Sequence, residues 1–168
     1  MTDPAFADIL EANARYAQQF HLGVPRPEAA KALAVLTCID SRIEPLRMLG
    51  LVPGDAKIMR NAGARVTEDV LRSLVLAVHL LSVSRIAVIQ HTRCRMTEAT
   101  NPEIREEIGR RSGSPADGWD FLAIGNQHDT LVDDLTIIRS CPLIPDTVAL
   151  TGMIYDVDTG LLHTETSA

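Results

Sequence analysis

Along the chain, amphipathic stretches alternate with short apolar runs, and two of those runs end in polar clusters rich in Cys, His and Arg. Phe6, Ile9, Leu10, Asn13, Ala17 and Phe20 recur at helical spacing, with Thr2 or Asp3 as cap and Pro4 in the first turn. His21 to Pro27, which contains Gly23 and two prolines, ends that helix. Residues 32–37 are apolar along their length rather than alternating, which predicts a buried parallel strand. Further strands are predicted over residues 56–59 and 85–90. Between them Thr67 caps a helix whose first turn carries Glu68 and Asp69, where the helix dipole favours negative charge. Residues 70–81 are apolar almost all round, as in a crossover helix pressed between layers. Asn101-Pro102 starts a charged helix that Gly113 stops, and residues 129–139 place Leu131, Leu135 and Ile138 on one helical face. A fourth strand over 148–157, a turn at Asp158-Thr159-Gly160 and a partner strand over 161–164 complete the pattern. Strands alternating with helices imply an α/β fold with a parallel sheet and an antiparallel addition at its C-terminal end.

The chain has 168 residues, with no internal repeat and no linker, which fits one domain. Its 46% apolar and 23% charged residues are those of an ordinary globular protein. Lys and Arg total 16 against 22 for Asp and Glu, a net charge of −6, which argues against nucleic acid as a partner. Three Phe, two Tyr and one Trp are too few for a base-stacking platform. The longest strongly apolar run, residues 74–83, is interrupted by His79 and falls short of the ~20 residues of a membrane span. The first ten residues show neither a basic region nor a continuous apolar one, so no signal peptide is read there. Three cysteines cannot all pair, and a cytoplasmic location is expected.

In parallel α/β sheets, ligands bind beyond the carboxyl ends of strands where the winding reverses. Two predicted strands end in metal-ligand chemistry: Cys38-Ile39-Asp40-Ser41-Arg42 after the first and His91-Thr92-Arg93-Cys94 after the third. The His-x-x-Cys spacing lets both side chains of one turn face a single ion, and Cys38 from a neighbouring strand supplies a third ligand. The donor set suits Zn2+, with a fourth position left for water or for a carboxylate. Asp40 and Arg42 are two residues apart, so extended backbone puts them on one side and favours a charge-assisted pair. Cys141 fits no ligand spacing, and His21, His79, His128 and His163 read as surface or packing residues.

These segments resemble the β-class carbonic anhydrases, in particular their short mycobacterial-type bacterial forms, over nearly the whole chain. The likeness rests on Cys38 to Arg42, Arg47-Met48-Leu49-Gly50, Arg60-Asn61-Ala62-Gly63, Val70 to Leu74, His91 to Cys94 and Tyr155 to Gly160. The resemblance implies a four-stranded parallel core with an added antiparallel strand, flanking helices and an N-terminal helical arm over residues 1–21. It implies Zn2+ held by Cys38, His91 and Cys94, with Asp40 as an additional ligand where the site is closed. An Asp40–Arg42 dyad would then serve catalysis, and Gly63 would border the substrate pocket. The implied reaction is the hydration of carbon dioxide to bicarbonate by zinc-bound hydroxide, since zinc lowers the pKa of a bound water to about 7 in the best-known case. The implied assembly is a homodimer or homotetramer, the arm reaching over its neighbour.

The family's usual His-Thr-Asp-Cys-Gly is His91-Thr92-Arg93-Cys94-Arg95 in this chain. Two basic residues beside the ion are expected to alter the pocket, and Arg95 would be strained if its position required a positive φ. Alternative readings are hydrolysis of carbonyl sulfide or carbon disulfide at the same site, or a zinc-binding homologue left catalytically weak by Arg93 and Arg95. A further alternative makes Cys38 or Cys94 a nucleophile with His91 as its base.

Overall fold

The structure is a computed structural model that describes residues 4–21 and 26–167, so the predicted caps Thr2 and Asp3 lie outside the described residues. A 3-10 turn (Pro4–Phe6) leads into helix α1 (Ala7–Gln18). The body then runs through β1 (Leu33–Cys38), α2 (Pro45–Met48), β2 (Ala56–Asn61), α3 (Glu68–Leu80) and β3 (Arg85–His91). It continues with α4 (Asn101–Ser112), α5 (Gln127–Arg139), β4 (Ala149–Tyr155) and β5 (Leu162–Ser167). The five strands form one sheet in the order β2-β1-β3-β4-β5, with β5 alone antiparallel. No helix among the described residues is long and apolar enough to cross a membrane.

The strands differ from the apolar pattern at their ends, and the difference matters for the site. Ala32 has a left-handed backbone (φ 51°), so β1 starts one residue later than expected. At their other ends β1, β2 and β3 run on through Cys38, Asn61 and His91. Parallel pairing uses backbone groups, so the ladder continues through polar residues that a hydrophobicity pattern reads as loop. Helix α2 is absent from the sequence-based expectation, being a single turn of four residues.

Alternation along the strands sorts the core into two faces. Ala34, Leu36, Ile86, Val88 and Leu150 pack against Val70, Leu74 and Ala77 of α3 and Leu131, Leu135 and Ile138 of α5. The expectation that α3 is enclosed all round is corrected: Leu76 and Leu80 face outward, and only one stripe of the helix is buried. On the opposite face Val35, Ala87 and Ile89 meet Met48 and Leu49. A groove of about 400 Å³, lined by Leu33, Val35, Leu49, Ala87, Ile89 and Met153 among others, stays open there. Helix α1 buries none of its residues.

Capping follows side-chain chemistry. Thr67 accepts from the Val70 N–H at the start of α3, and Asn126 does the same for α5 through Asp129. Thr100 and Glu103 form a reciprocal capping box on α4, whose other end closes on left-handed Gly113. One buried ion pair braces the loop after β2. Asp134 of α5 accepts from Arg65 Nε at 2.8 Å and from the Val66 N–H at 3.1 Å. Arg65 also donates to the Leu122 carbonyl, while its backbone is held by both ends of the Asn61 amide. Burial pushes the Asp134 carboxyl up despite Arg65, so desolvation outweighs the attraction between the two charges.

Two outcomes follow. Asp134→Ala leaves Arg65 charged without its acceptor and is expected to lower the unfolding free energy by about 3–5 kcal/mol, read by urea denaturation. Gly152 of β4 lies under α5, where an added Cβ would stand 2.8 Å from Leu131 Cγ and 2.9 Å from its Cδ2. Gly152→Ala is therefore expected to cost about 1–3 kcal/mol in the same measurement, with the sheet intact by circular dichroism.

Candidate metal centre

The chain goes from β1 outward to β2 and then returns across β1 to β3, so the winding reverses between β1 and β3. Both central strands end there. Cys38 pairs with Asn61 of β2, and His91 pairs with Tyr155 of β4, so each strand end is held by its outer neighbour after the β1–β3 pairing has stopped at Thr37 and Ile89. The 3-10 turn Arg95–Thr97 starts directly after Cys94, with the Thr97 N–H and hydroxyl both donating to the Cys94 carbonyl.

Cys38, His91 and Cys94 are all buried, and their donor atoms lie within 4.8 Å of one another. The two sulfurs are 4.0 Å apart. Two thiolates on one tetrahedral zinc, each at about 2.3 Å, would be separated by about 3.8 Å. His91 Nδ1 donates to the Thr92 carbonyl at 2.9 Å, because a carbonyl can only accept. That bond fixes the tautomer and leaves the Nε2 lone pair free. Nε2 is buried and has no hydrogen-bond partner. A buried polar atom without a partner calls for an explanation, and a cation at the centre of the three donors supplies one. The donor chemistry, the spacing and the orphaned nitrogen all fit zinc.

Cys94 and the Gly63 N–H, which is 3.3 Å from Cys38 Sγ, both act on Cys38. Hydrogen bonding from Cys94 is the first cause that lowers the Cys38 pKa, and it raises that of Cys94 in turn. Two adjacent thiolates repel, so the pair shares a proton until a cation replaces it. Gly63 makes this approach possible. It has φ 78°, and a Cβ there would stand 3.1 Å from Ile124 Cδ1 and 3.3 Å from Met96 Cγ.

Asp40 sits at the rim of the donor set, its Oδ2 3.8 Å from His91 Nε2. The expected pair with Arg42 is present and bidentate: Nε to Oδ1 at 2.9 Å and Nη2 to Oδ2 at 2.7 Å. The Arg42 backbone N–H adds a third bond to Oδ1. The Arg42 side chain is the first cause that holds the Asp40 carboxyl well below the usual carboxylate range. Ile43, Met48, Met96 and Tyr155 pack around the two cysteines, giving the centre an apolar wall.

The structure places the backbone strain expected at Arg95 elsewhere. Arg95 begins a 3-10 turn and does not have a positive φ; the left-handed residue is Arg93, at φ 53°. Such backbone costs of the order of 1–3 kcal/mol outside glycine. Neither guanidinium is an unpaired charge beside the donors. Arg93 Nη2 meets Asp158 Oδ2 at 2.8 Å, and Arg95 pairs with Glu98.

Three supporting groups escape a reading of the sequence. Arg60 donates to the Cys38 carbonyl at 2.8 Å and to the Asp40 carbonyl at 2.7 Å, fixing the course of the chain after β1. Gln127 Nε2 donates to the His91 carbonyl at 2.9 Å. The Thr92 hydroxyl accepts from the Val157 N–H at 3.1 Å. Only the Arg60-Asn61-Ala62-Gly63 motif hinted at the first; the other two depend on register between distant segments. Of the remaining histidines, His79 Nε2 is 2.7 Å from the Leu143 carbonyl, and His21, His128 and His163 lie outside the cluster.

Residues 33–117 match the family model for carbonic anhydrase. Over 156 residues the chain is 33% identical to β-carbonic anhydrase 1 of Mycobacterium tuberculosis, covering 93% of this chain and 94% of that protein. It is 29% identical to the carbon disulfide hydrolase of Acidianus sp., covering 88% and 82%. The crystal structure of carbonic anhydrase from Streptococcus mutans superposes with a TM-score of 0.90 at 36% identity, covering 99% of this chain and all of that one. With its Cys-His-Cys cluster at the turning point of a five-stranded sheet, the chain belongs to the β-carbonic anhydrase family.

Proposed function

We propose that this protein catalyses the reversible hydration of carbon dioxide to bicarbonate, with a zinc ion held by Cys38, His91 and Cys94. The observation that carries the reading is the unpartnered His91 Nε2 facing two buried sulfurs 4.0 Å apart. When bound, zinc supplies Lewis acidity that makes water an effective nucleophile near neutral pH. The chain's own residues do the rest. The Thr92 carbonyl holds the His91 ring in the metal-binding tautomer, and the Gly63 N–H supports Cys38 as a thiolate. Asp40, kept ionised by Arg42, accepts a hydrogen bond from the attacking water and orients its lone pair. The water oxygen forms the new bond to carbon, one C=O π pair moves onto oxygen, and the proton leaves to buffer. Met96 and Tyr155 present apolar surface beside the two cysteines to a small non-polar substrate, and Gly63, packed too closely against Ile124 and Met96 to carry a Cβ, borders the same pocket.

Two thiolates offset the ion's formal charge of +2, so turnover is expected to rise toward alkaline pH. A stopped-flow assay over about pH 6.5 to 9, on protein of measured zinc content, tests this. The expected result is one zinc per chain and a rate that climbs with pH. Full zinc with hydration no faster than buffer would overturn the proposal. Asp40→Asn should retain zinc and lose about 10²-fold in turnover; undiminished turnover would remove Asp40 from the mechanism. Hydrolysis of carbon disulfide or carbonyl sulfide is a second reading, supported by the likeness to carbon disulfide hydrolases and by the same apolar wall. Sulfide release in a parallel assay decides between substrates.

We further propose a single domain over residues 1–168 that assembles as a homodimer or homotetramer, its first 21 residues forming an arm over a neighbour. Helix α1 and the residues flanking it turn Phe6, Ile9, Leu10 and Phe20 to solvent, while an apolar groove on the sheet stays open. Three free thiols suit the reducing cytoplasm. Deleting residues 1–20 is expected to give a monomer by light scattering, and an unchanged mass would reject the arm.

A further inference from the structure

The loop after β3 and the turn after β4 are joined by more than backbone. The Thr92 N–H donates to the Tyr155 carbonyl at 3.0 Å, and the Val157 N–H donates to Thr92 Oγ1. One residue further along each segment, Arg93 and Asp158 form their ion pair at 2.8 Å. Asp158 does not float in its turn, because its N–H donates to Asp156 Oδ1 at 2.8 Å. The left-handed backbone of Arg93 brings its carbonyl within 3.0 Å of Arg42 Nη2, the same nitrogen that holds Asp40 Oδ2 at 2.7 Å. One guanidinium nitrogen thus bridges the Arg93 backbone and the Asp40 carboxylate.

We propose that the Arg93–Asp158 ion pair is a latch that positions Arg42, and through Arg42 holds the Asp40 carboxylate at the rim of the Cys38, His91 and Cys94 donor set rather than in it. The inference rests on the metal-site reading above and names two positioning residues for it. Asp40 Oδ2 is already only 3.8 Å from His91 Nε2. An anion at that distance, once released from Arg42, becomes a competing ligand for the position that water must occupy. Three bonds donated by its guanidinium fix Arg42 in place: two to Asp40 and one to the Arg93 carbonyl. The last depends on the unusual backbone of Arg93, and the side chain of Arg93 ties that backbone to Asp158. Arg42 is held charged first by Asp40, and Asp158 adds to the same effect.

The size of the effect is bounded by exposure. Arg93 and Asp158 are 68% and 51% exposed, and a pair so open to solvent shifts an equilibrium by at most about fivefold, equivalent to ~1 kcal/mol. The latch therefore biases the open arrangement without enforcing it.

Cobalt(II) in place of zinc gives a visible spectrum, and azide titrated into it reports access to the fourth position. Asp158→Asn and Arg93→Asn, the latter chosen because Asn tolerates left-handed backbone, should each weaken azide binding about two- to fivefold. Asp158→Glu should keep wild-type affinity, as should the charge swap Arg93→Asp with Asp158→Arg. Adding Asp40→Asn to Asp158→Asn should restore azide binding, because the competing carboxylate is gone. About 1 M salt should shrink the difference between wild type and Asp158→Asn by screening the pair. In the metal-free protein, the Arg42 Nε–H resonance should exchange faster with water in Asp158→Asn. Unchanged azide affinity together with an unchanged Arg42 signal would overturn the latch, and so would a loss that Asp40→Asn fails to restore. A wild-type protein that takes up no cobalt would instead overturn the metal-site reading, and the Arg42 signal would still decide the latch.

Discussion

Two buried sulfur atoms 4.0 Å apart, facing a buried imidazole nitrogen that has no partner, form an arrangement the folded chain would not hold cheaply on its own. Each sulfur is a potential anion, and the pair can hold only one negative charge comfortably in a buried setting. The opposite movements of the two thiols express this: Cys38 is pushed toward the thiolate while Cys94 keeps its proton. A divalent cation would remove the conflict by taking the place of the shared proton and giving Nε2 a partner. The strain belongs to the donor set, and much of the surrounding hydrogen bonding keeps that set from relaxing. Arg60 pins the Cys38 and Asp40 carbonyls at the end of β1, Gln127 pins the His91 carbonyl, and the Asn61–Arg65–Asp134 brace holds Gly63 against Cys38.

The sheet explains why these particular residues meet. Because β1 and β3 are adjacent and parallel, their carboxyl ends lie side by side, and chain segments that leave in different directions open a crevice between them. Pairing with β2 and β4 continues as far as Cys38 and His91, so both donors sit on ladder-held backbone rather than on free loop. Cys94 is the exception. It lies beyond the strand, and its position depends on the bonds that the Thr92 to Thr97 segment makes to β4 and to its own 3-10 turn.

Much of this was legible from the residues, for physical reasons. Apolar runs without alternation announced strands buried on both faces, and Thr67, Asn101-Pro102 and Gly113 marked helix ends through capping chemistry. The donor cluster was legible because cysteine and histidine at the ends of two strands, with a second cysteine three residues on, make a metal-ligand set. The shortfalls have a common origin. Strand ends were placed too early because Arg60, Asn61 and His91 look like loop yet remain paired to neighbours. The enclosure of α3 was overestimated because an apolar composition does not reveal whether a second layer exists to cover Leu76 and Leu80. Strain was looked for at Arg95 and lies at Arg93, since a missing glycine in a motif does not say which residue takes the left-handed turn.

The replacement of two family residues by arginine is best understood through their partners. Paired with Glu98 and Asp158, each guanidinium adds little net charge to the centre. A small polar side chain at position 93 would suit left-handed backbone without help, because its own carboxylate or amide can bond locally. Arginine cannot do that, so the turn must be stabilised from outside, and the Asp158 contact does so while the Arg93 carbonyl engages Arg42. The substitution thus joins the Asp40–Arg42 pair to the turn after β4 as well as to the loop after β3. A segment remote in sequence from the cysteines is connected, contact by contact, to the carboxylate at the rim of the donor set.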